Sequence, residues 1–388
     1  MTVQATRETL SQYLPEGESP SEAARSDAPP PNRQHHHDIV VIGGSAGGVE
    51  ALMTLVPEIP KDIPAALFSV QHFPQDMQSR LPMLLDRVAK IRVRAAQDGQ
   101  PIEYGTLTVA PTGQHMTIQE GRVRLSSGPH ENGFRPAIDP LFRSAAVTYG
   151  SRVVGVLLSG LQDDGTSGMH AIARLGGSVI LQDPETAPYP DMPANALRLV
   201  DPDRIADLDG IPRAIADLVA EPSLPPEKLS PPPEQLVHEV QIAESGLSSR
   251  SRQDRMGEPT GFSCPECAGP LWQVGEEGNP RYRCHTGHAH TEMSLADSLG
   301  ASTERSLYAA LRALEERVDL NTRAARRQEE AGRPALAARF RRKVVEDTAY
   351  IPQLREFILQ QTRTAEADTS IPAGDEMPRE PSPEAGSA

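Results

Sequence analysis

The stretch from Asp38 to Glu50, which reads DIVVIGGSAGGVE, decides the fold of the first half of this chain. It begins with a run of β-branched residues, which is typical of a strand that is covered on both faces. Glycines then permit a sharp turn, and apolar residues return at helical spacing from Val49 to Leu55. The pattern predicts a buried strand, a tight turn and a helix, with Ser45 at the turn.

Three interpretations of the turn compete. Gly43 to Gly47 fits the G-x-S-x-G pattern, in which a strained turn exposes a nucleophilic serine. The dinucleotide-binding pattern G-x-G-x-x-G requires glycine at position 45 or 46, where Ser45 and Ala46 stand. A turn without a chemical role is the third interpretation. A hydroxyl at a sheet edge, beside a helix N-terminus that favours negative charge, suits a nucleophile.

Short apolar runs alternate with longer amphipathic ones onward from this stretch to about Leu199. Strands are predicted at Asp38–Ile42, Ala65–Val70, Ile91–Ala95, Thr106–Ala110, Met116–Gln119, Val153–Leu158 and Ser178–Leu181. Helices are predicted at Val49–Val56, Asp76–Val88, Pro140–Tyr149, Ser167–Leu175 and Pro193–Leu199. The alternation predicts an α/β fold, doubly wound, with a mostly parallel sheet, helices on both faces and an antiparallel hairpin within Thr106–Leu125.

Polar residues follow two more of the predicted strands. His72 comes just after the strand that ends at Val70, and Asp163 and Asp164 follow the strand that ends at Leu158. Active sites of parallel sheets lie beyond the carboxyl ends of the strands, so these side chains are expected near Ser45. A hydroxyl, an imidazole and a carboxylate can act as nucleophile, base and orienting acid. The alternatives are a structural histidine and an aspartate that caps the next helix.

Together these motifs resemble the catalytic domain of the chemotaxis protein-glutamate methylesterases, the CheB family. The motifs that carry the resemblance are Gly43–Gly48, Val70–His72, Val109–Pro111 with His115–Met116, Arg135–Asp139, and Ser159–Gly165 with Gly168–Met169. The resemblance implies a serine esterase that hydrolyses glutamyl methyl esters on chemoreceptor-like signalling proteins, releases methanol and can deamidate glutamine. The alternative is a non-catalytic, receptor-binding adaptor in a sensory pathway.

The resemblance also assigns roles to individual residues. It places the nucleophile, base and orienting carboxylate on Ser45, His72 and Asp164. It places the oxyanion-binding N–H groups at Ala46 and Leu161, and catalysis needs no cofactor. We expect Arg135 and His115 to line the substrate groove, with structural hydrogen bonding as the alternative for both. Typical members carry an N-terminal receiver domain, and the sequence predicts a receiver-less form, in which control by phosphorylation in cis is not expected.

All three cysteines lie in one short stretch. Cys264 and Cys267 form a C-x2-C pair, and Cys284 and His288 form a C-x3-H pair. This spacing is typical of a zinc-ribbon-like module with Cys₃His ligands. We prefer His288 to His285 as the fourth ligand, because His285 adjoins Cys284 and would strain the chelate. Four protein ligands leave no open position, so the predicted zinc is structural.

Composition limits the remaining possibilities. The 388 residues include 37 prolines, and 53 acidic side chains against 38 basic ones give a net charge of −15. This balance argues against nucleic-acid binding. The sequence has no signal-peptide pattern and no apolar run near the roughly twenty residues of a membrane span, so we expect a cytoplasmic protein without membrane insertion.

The same patterns predict the division of the chain. The expected segments are a disordered tail at 1–37, the methylesterase-like domain at 38–219, a Pro-rich linker at 220–260, the zinc module at 261–292, a helical hairpin at 302–363 and a disordered acidic tail at 364–388. The expected partners are the methylated cytoplasmic helices of a receptor. Apolar residues at a/d-like spacing predict that the C-terminal helices cover each other or bind a partner or a second copy.

Overall fold

A computed structural model describes residues 36–73, 79–225, 228–245, 257–276 and 278–368 of the protein. Most of both expected tails lies outside these ranges. The chain forms two compact units. Unit 1 consists of Met1–Gly128 and Arg135–Gly246, and unit 2 consists of Pro129–Phe134 and Leu247–Ala388.

Unit 1 is built on a parallel sheet of seven strands in the order β3-β4-β2-β1-β7-β8-β9. These strands are β1 (Ile39–Gly44), β2 (Ala66–Gln71), β3 (Arg92–Ala95), β4 (Thr106–Val109), β7 (Val153–Leu157), β8 (Ser178–Gln182) and β9 (Arg204–Ala206). A separate antiparallel hairpin consists of β5 (His115–Gln119) and β6 (Arg122–Ser126). The prediction of a mostly parallel α/β sheet with an antiparallel hairpin is confirmed.

Helices cover both faces of the sheet. The helices of unit 1 that pack on the sheet are α1 (Gly48–Leu55), α2 (Leu81–Val88), α3 (Ile138–Tyr149), α4 (Thr166–Arg174), α5 (Asp191–Leu197) and α6 (Ile211–Ala220), and α7 (Glu234–Ser245) packs on α3 and the hairpin. Alternate residues of β1 serve two apolar clusters: Ile39 and Val41 belong to one, and Val40 and Ile42 belong to the other. The period of two along a strand therefore explains why the whole run from 39 to 42 is apolar.

Several boundaries differ from the predicted ones. Thr106–Val109 lies in the parallel sheet, and the hairpin starts only at His115. The short edge strand Arg204–Ala206 has exposed residues and no apolar alternation, so its pattern gave no signal. Helix α2 starts at Leu81, and part of the longer predicted helix, residues 76–78, lies outside the described residues.

The expected linker at 220–260 contains a packed helix. Helix α7, Glu234–Ser245, buries Val240 and Ile242 and contacts α3 and the hairpin. The buried Glu239 lies 3.9 Å from the Nε atom of Arg143. The prolines before this helix end at Pro233, and the proline-rich composition of the whole segment concealed the short amphipathic run that follows.

Unit 2 contains a four-stranded antiparallel sheet and two long helices. The strands are β10 (Glu258–Ser263), β11 (Pro270–Glu276), β12 (Asn279–Cys284) and β13 (Ala289–Thr291). The helices are α8 (Glu292–Glu330) and α9 (Pro334–Asp368), so the helical pair is longer at both ends than predicted. Helix α8 begins early because Thr291 and Ser294 form a capping box. No helix among the described residues is long and apolar enough to cross a membrane.

Candidate active site and candidate metal site

Three strand ends of unit 1 meet at one edge of the sheet. Ser45 follows β1, His72 follows β2, and Asp164 comes shortly after β7. Strand β1 pairs in parallel with both of the others, with Gly44 opposite Gln71 and Gly43 opposite Leu157. Because carboxyl ends of parallel strands share an edge, the three side chains start from adjacent positions.

The three side chains form one hydrogen-bonded chain. The Ser45 Oγ atom lies 3.0 Å from His72 Nδ1, and His72 Nε2 lies 2.8 Å from Asp164 Oδ2. The side chains of His72 and Asp164 are only 5% and 1% exposed. An ionised carboxylate can only accept, so the imidazole proton sits on Nε2, and Nδ1 can take the hydroxyl proton of Ser45.

Backbone amides at the starts of α3 and α4 hold Asp164. Its Oδ2 atom accepts the N–H of Ile138 at 2.7 Å, and its Oδ1 atom accepts the N–H groups of Asp139 at 3.3 Å and Gly165 at 3.0 Å. A helix N-terminus favours a negative charge in this position. Asp164 therefore satisfies the first amides of α3 while it orients His72. The alternative predicted from the sequence was an aspartate that caps the next helix along the chain, α4.

The turn at Ser45 is held by the residue that ends β2. The Nε2 atom of Gln71 donates to the carbonyl of Ser45 at 2.5 Å, and the N–H of Gly48 donates to the same carbonyl at 2.9 Å. A Cβ atom on Gly48 would overlap Gln71 Oε1, so only glycine leaves room for this side chain. Gly47 adopts the left-handed φ of 73° that the turn requires.

A second loop supports the nucleophile from β7. The carbonyl of Ser159 accepts the N–H of Ser45 at 3.0 Å, and the Oγ atom of Ser159 donates to the carbonyl of Ala46 at 2.9 Å. The same hydroxyl accepts the N–H of Tyr189 at 3.0 Å. A Cβ atom on Gly160 would lie 2.8 Å from the Cβ atom of Ser45. Ser45 is thus packed directly against this loop.

The two predicted oxyanion amides lie next to these supports. Ala46 follows the nucleophile, and Leu161, 47% exposed, follows Gly160. The next residue, Gln162, has a left-handed φ of 65°, and its carbonyl accepts Asn195 Nδ2 at 2.8 Å. A non-glycine residue in this conformation costs of the order of 1 kcal/mol and points to a loop whose shape is fixed. The role of both amides stays a prediction.

Arg135 and His115 make structural contacts. The guanidinium of Arg135 donates to the carbonyls of Ser127 at 3.2 Å and Gly128 at 2.7 Å. His115 is 1% exposed, and its Nδ1 atom accepts the N–H of Ala137 at 3.2 Å. The burial of His115 argues against direct contact with a substrate, and these hydrogen bonds favour the structural alternative for both residues.

The sequence predicts no role for Gln71, Ser159 or Gly160, although all three lie within the motifs quoted above. Gln71 offers the clearest signal, because it is a polar residue at the end of a fully buried strand and is only 3% exposed. A buried amide needs hydrogen-bond partners, and Gln71 Nε2 finds them in the carbonyls of Ser45 and His72.

Unit 2 brings together the four predicted metal ligands. The ligand atoms of Cys264, Cys267, Cys284 and His288 all lie within 4.8 Å of one another. His288 Nδ1 is 3.7 Å from the sulfur of Cys264 and 3.5 Å from that of Cys284, and the sulfurs of Cys267 and Cys284 are 3.7 Å apart. A tetrahedral zinc ion would separate two sulfurs by about 3.8 Å and a sulfur from a nitrogen by about 3.5 Å. The cluster could therefore hold a metal ion.

The surroundings of the cluster favour His288 over His285. The Nε2 atom of His288 lies 3.3 Å from Glu266 Oε2, which also contacts His130 Nδ1 at 2.7 Å. Although burial raises the pKa of Glu266, the hydrogen bond from His130 and the charge of His288 lower it overall. The hydrogen bond from the Cys264 thiol lowers the pKa of Cys284, which favours a thiolate, the form that binds metals.

Comparison with known proteins agrees with this geometry. A Ser-His-Asp chain at the carboxyl edge of a parallel sheet is the arrangement of serine hydrolases. Residues 40–215 match the model of the CheB methylesterase family. Through this region the chain belongs to the CheB methylesterase family.

Two of the curated relatives carry the name protein-glutamate methylesterase/protein-glutamine glutaminase. The name of the relative from Anaeromyxobacter dehalogenans also ends in the number 2. The one from Anaeromyxobacter dehalogenans is 39% identical over 172 residues, covering 44% of this chain and 50% of the relative. The one from Symbiobacterium thermophilum is 38% identical over 176 residues, covering 45% and 49%. The chain thus spans about half the length of the curated relatives it matches. The crystal structure of the Thermotoga maritima CheB methylesterase catalytic domain is 34% identical, with a TM-score of 0.45, and the match covers 47% of this chain and 98% of that chain.

Proposed function

We propose that this protein is a serine esterase that hydrolyses glutamyl methyl esters on the methylated cytoplasmic helices of a chemoreceptor-like protein and releases methanol. The observation that carries the proposal is the hydrogen-bonded chain of Ser45, His72 and Asp164. The names of the curated relatives support the choice of substrate. The reaction as proposed uses only side chains and backbone groups of the protein and a water molecule.

The first half of the reaction forms an acyl-enzyme. His72 Nδ1 takes the hydroxyl proton as Ser45 Oγ attacks the ester carbonyl, and Asp164 stabilises the resulting imidazolium. The N–H groups of Ala46 and Leu161 hold the negative oxygen of the tetrahedral intermediate. The intermediate collapses with breakage of the bond to the methoxy oxygen, and His72 returns the proton to that oxygen, so methanol leaves.

The second half opens the acyl-enzyme with water. His72 Nδ1 now takes a proton from the water molecule, whose oxygen attacks the same carbonyl carbon. The bond to Ser45 Oγ breaks, and the proton passes from His72 to the serine. The products are a free glutamyl carboxylic acid and the original enzyme.

We propose glutamine deamidation as a second reaction of the same site. An amide carbonyl is attacked in the same way, and His72 protonates the departing nitrogen so that ammonia leaves. The second part of the relatives' name, protein-glutamine glutaminase, supports this reaction.

We also propose that the cluster in unit 2 binds a structural zinc ion. Cys264, Cys267, Cys284 and His288 would complete its coordination, and a bound zinc ion supplies folding energy to such a module. The distances between the four ligand atoms support this assignment. With no open coordination position, the module would take no direct part in breaking the ester bond.

The function can be tested by measuring methanol release from a methylated receptor fragment. The wild-type chain should release methanol, and Ser45→Ala should reduce the rate by about 10⁵-fold or more, because the nucleophile is lost. Ser306→Ala, at an exposed position of α8, is the matched control and should behave like the wild type. Equal rates for wild type and Ser45→Ala would rule the proposal out.

A further inference from the structure

A short segment inside the family-matched region belongs to unit 2. Pro129–Phe134 is part of unit 2, whereas its neighbours Gly128 and Arg135 are part of unit 1. The chain therefore leaves unit 1, contributes this segment to unit 2 and returns to unit 1. All of this happens before the family match ends at residue 215. We call residues 129–134 the inserted segment.

His130 of the inserted segment belongs to the surroundings of the metal ligands. Its Nδ1 atom contacts Glu266 Oε2 at 2.7 Å, and the same oxygen lies 3.3 Å from Nε2 of the ligand His288. A histidine that binds a metal usually donates its other ring N–H to a carboxylate, a backbone carbonyl or a water molecule, which fixes the ring and increases the basicity of the ligating nitrogen. Glu266 is in the position of that carboxylate, and His130 holds it there.

Glu131 of the inserted segment compensates two buried positive charges. Its Oε1 atom accepts from Arg283 at 2.9 Å and its Oε2 atom from Arg281 at 3.2 Å, and all three side chains are at most 2% exposed. Arg283 immediately precedes the ligand Cys284, and it also donates to the carbonyl of Gly287 at 2.9 Å. Removal of one partner from a buried ion pair is strongly destabilising. The stretch that leads into the ligand Cys284 and carries both arginines therefore depends on Glu131.

Asn132 joins the inserted segment to the strand that follows His288. Its N–H donates to the carbonyl of Ala289 at 2.8 Å, and the N–H of Ala289 donates to the carbonyl of His130 at 3.2 Å. The Oδ1 atom of Asn132 accepts the N–H of Thr291 at 3.1 Å and the hydroxyl of Ser294 at 3.3 Å. The segment thus also supports the first turn of α8.

We propose that the inserted segment is the outer shell of the metal module, so that metal binding and the order of residues 129–134 are thermodynamically linked. Apart from the contact to Ser294, each contact above reaches a residue within three positions of a metal ligand. The proposal rests on the metal site proposed above and is independent of esterase activity. By linkage, whatever weakens the segment weakens metal binding, and removal of the metal loosens the segment.

The first test measures zinc affinity of the full chain by competition with a chromogenic chelator. His130→Ala and Glu131→Gln should each bind zinc about 10- to 100-fold more weakly than the wild type, the usual cost of losing an outer-shell partner. His130→Ala guards against misfolding, because His130 is 21% exposed and its loss leaves the Glu131 contacts in place. Glu304→Gln, at an exposed position of α8, is the matched control and should match the wild type.

The outcomes separate the two proposals. A wild-type chain that binds no zinc would overturn the metal site itself. A wild-type chain that binds zinc, with unchanged affinity in both His130→Ala and Glu131→Gln, would overturn the role of the inserted segment.

The second test measures hydrogen exchange in the wild-type full chain with and without zinc. Removal of zinc should increase the exchange of the amide of Asn132, which donates to the carbonyl of Ala289, at least about 10-fold, because the linkage loosens this contact. The reference is the amide of Ile118 in unit 1, which donates to the hydroxyl of Ser144 and should exchange at the same rate in both samples. Unchanged exchange at Asn132 after zinc removal would contradict the linkage.

Discussion

The two clusters of reactive side chains in this protein differ in shape. Ser45, His72 and Asp164 form an open chain in which each hydrogen bond leads to the next, and the nucleophile stands at its half-buried end. We call the cysteine–histidine cluster closed, because its four candidate ligand atoms all lie within 4.8 Å of one another. An open chain can pass the serine proton to the imidazole and leaves one end for a substrate, whereas a closed set of ligands has no position for a substrate.

The two clusters also differ in what holds them. Backbone amides of Ile138, Asp139 and Gly165 hold Asp164, and these amides belong to helix starts that exist without any ligand. The metal cluster is surrounded by side-chain contacts to Glu266 and the inserted segment. We therefore expect the catalytic cluster to persist without an ion and the metal cluster to depend on one.

Among the residues that support the nucleophile Ser45 and the base His72, the largest expected effect comes from Asp164→Asn. Both carboxylate oxygens accept N–H groups, so either orientation of the new amide directs its NH₂ group at a donor. The imidazole would also lose the partner that fixes its tautomer. We expect kcat to fall by about 10⁴-fold and the free energy of unfolding by about 1–3 kcal/mol.

The matched control is Asp163→Asn, which removes a charge one residue away. Its effect on kcat should stay below about 10-fold, because the backbone carbonyl of Asp163, which the substitution keeps, accepts the N–H of Thr166. Methanol release and thermal unfolding measure both variants. Equal losses in the two variants would contradict the assignment of Asp164 as the carboxylate that orients His72.

The next effect concerns the closed cluster. Cys284→Ser should lower zinc affinity by about 10³-fold or more, because one of four ligands is replaced by a weaker one. The variant should still react with an organophosphorus serine probe, and Ser45→Ala should bind zinc like the wild type. Mass spectrometry of the labelled protein and zinc titration check the pair. A Ser45→Ala chain that loses zinc would show that the two clusters are not separable in this way.

The sequence was most informative where short spacing or strand ends carry the signal. Ser45, His72 and Asp164 each follow an apolar run, and parallel pairing of those runs brings the three to one edge. The metal ligands come in two close pairs, so their spacing alone indicates the site. The sheet was predictable for the same reason, because apolar runs of about four to six residues mark strands that are buried on both faces.

The sequence was uninformative where a residue supports another residue that is distant along the chain. Ser159 and Gly160 support Ser45 only because β7 lies beside β1. The inserted segment contacts residues far along the chain, such as Arg281 and Arg283, and no local pattern predicts a pairing over such a separation. Helix α7 was concealed by the prolines around it.

Gly160→Ala tests one of these long-range supports. The added Cβ atom would lie 2.8 Å from Ser45 Cβ and would overlap the sulfur of Met192, so either the nucleophile or the loop must move. A displacement of about 1 Å costs about 10²-fold in rate, and we expect that loss in kcat. Gly300→Ala is the control, since its Cβ would meet nothing within 4 Å. Wild-type kcat in Gly160→Ala would show that the contact is not restrictive.

The smallest expected effect comes from Gln71→Met, which keeps the size of the side chain and removes its donors. Gln71 Nε2 holds the carbonyl of Ser45 at 2.5 Å and that of His72 at 3.3 Å, so both ends of the first hydrogen bond lose a support. Nucleophile and base remain, and we expect kcat to fall by about 10-fold, equivalent to about 1.4 kcal/mol, with zinc affinity unchanged. Gln241→Met, at an exposed position of α7, should match the wild type in both measurements. An unchanged kcat in Gln71→Met would contradict the assignment of this amide to the open chain.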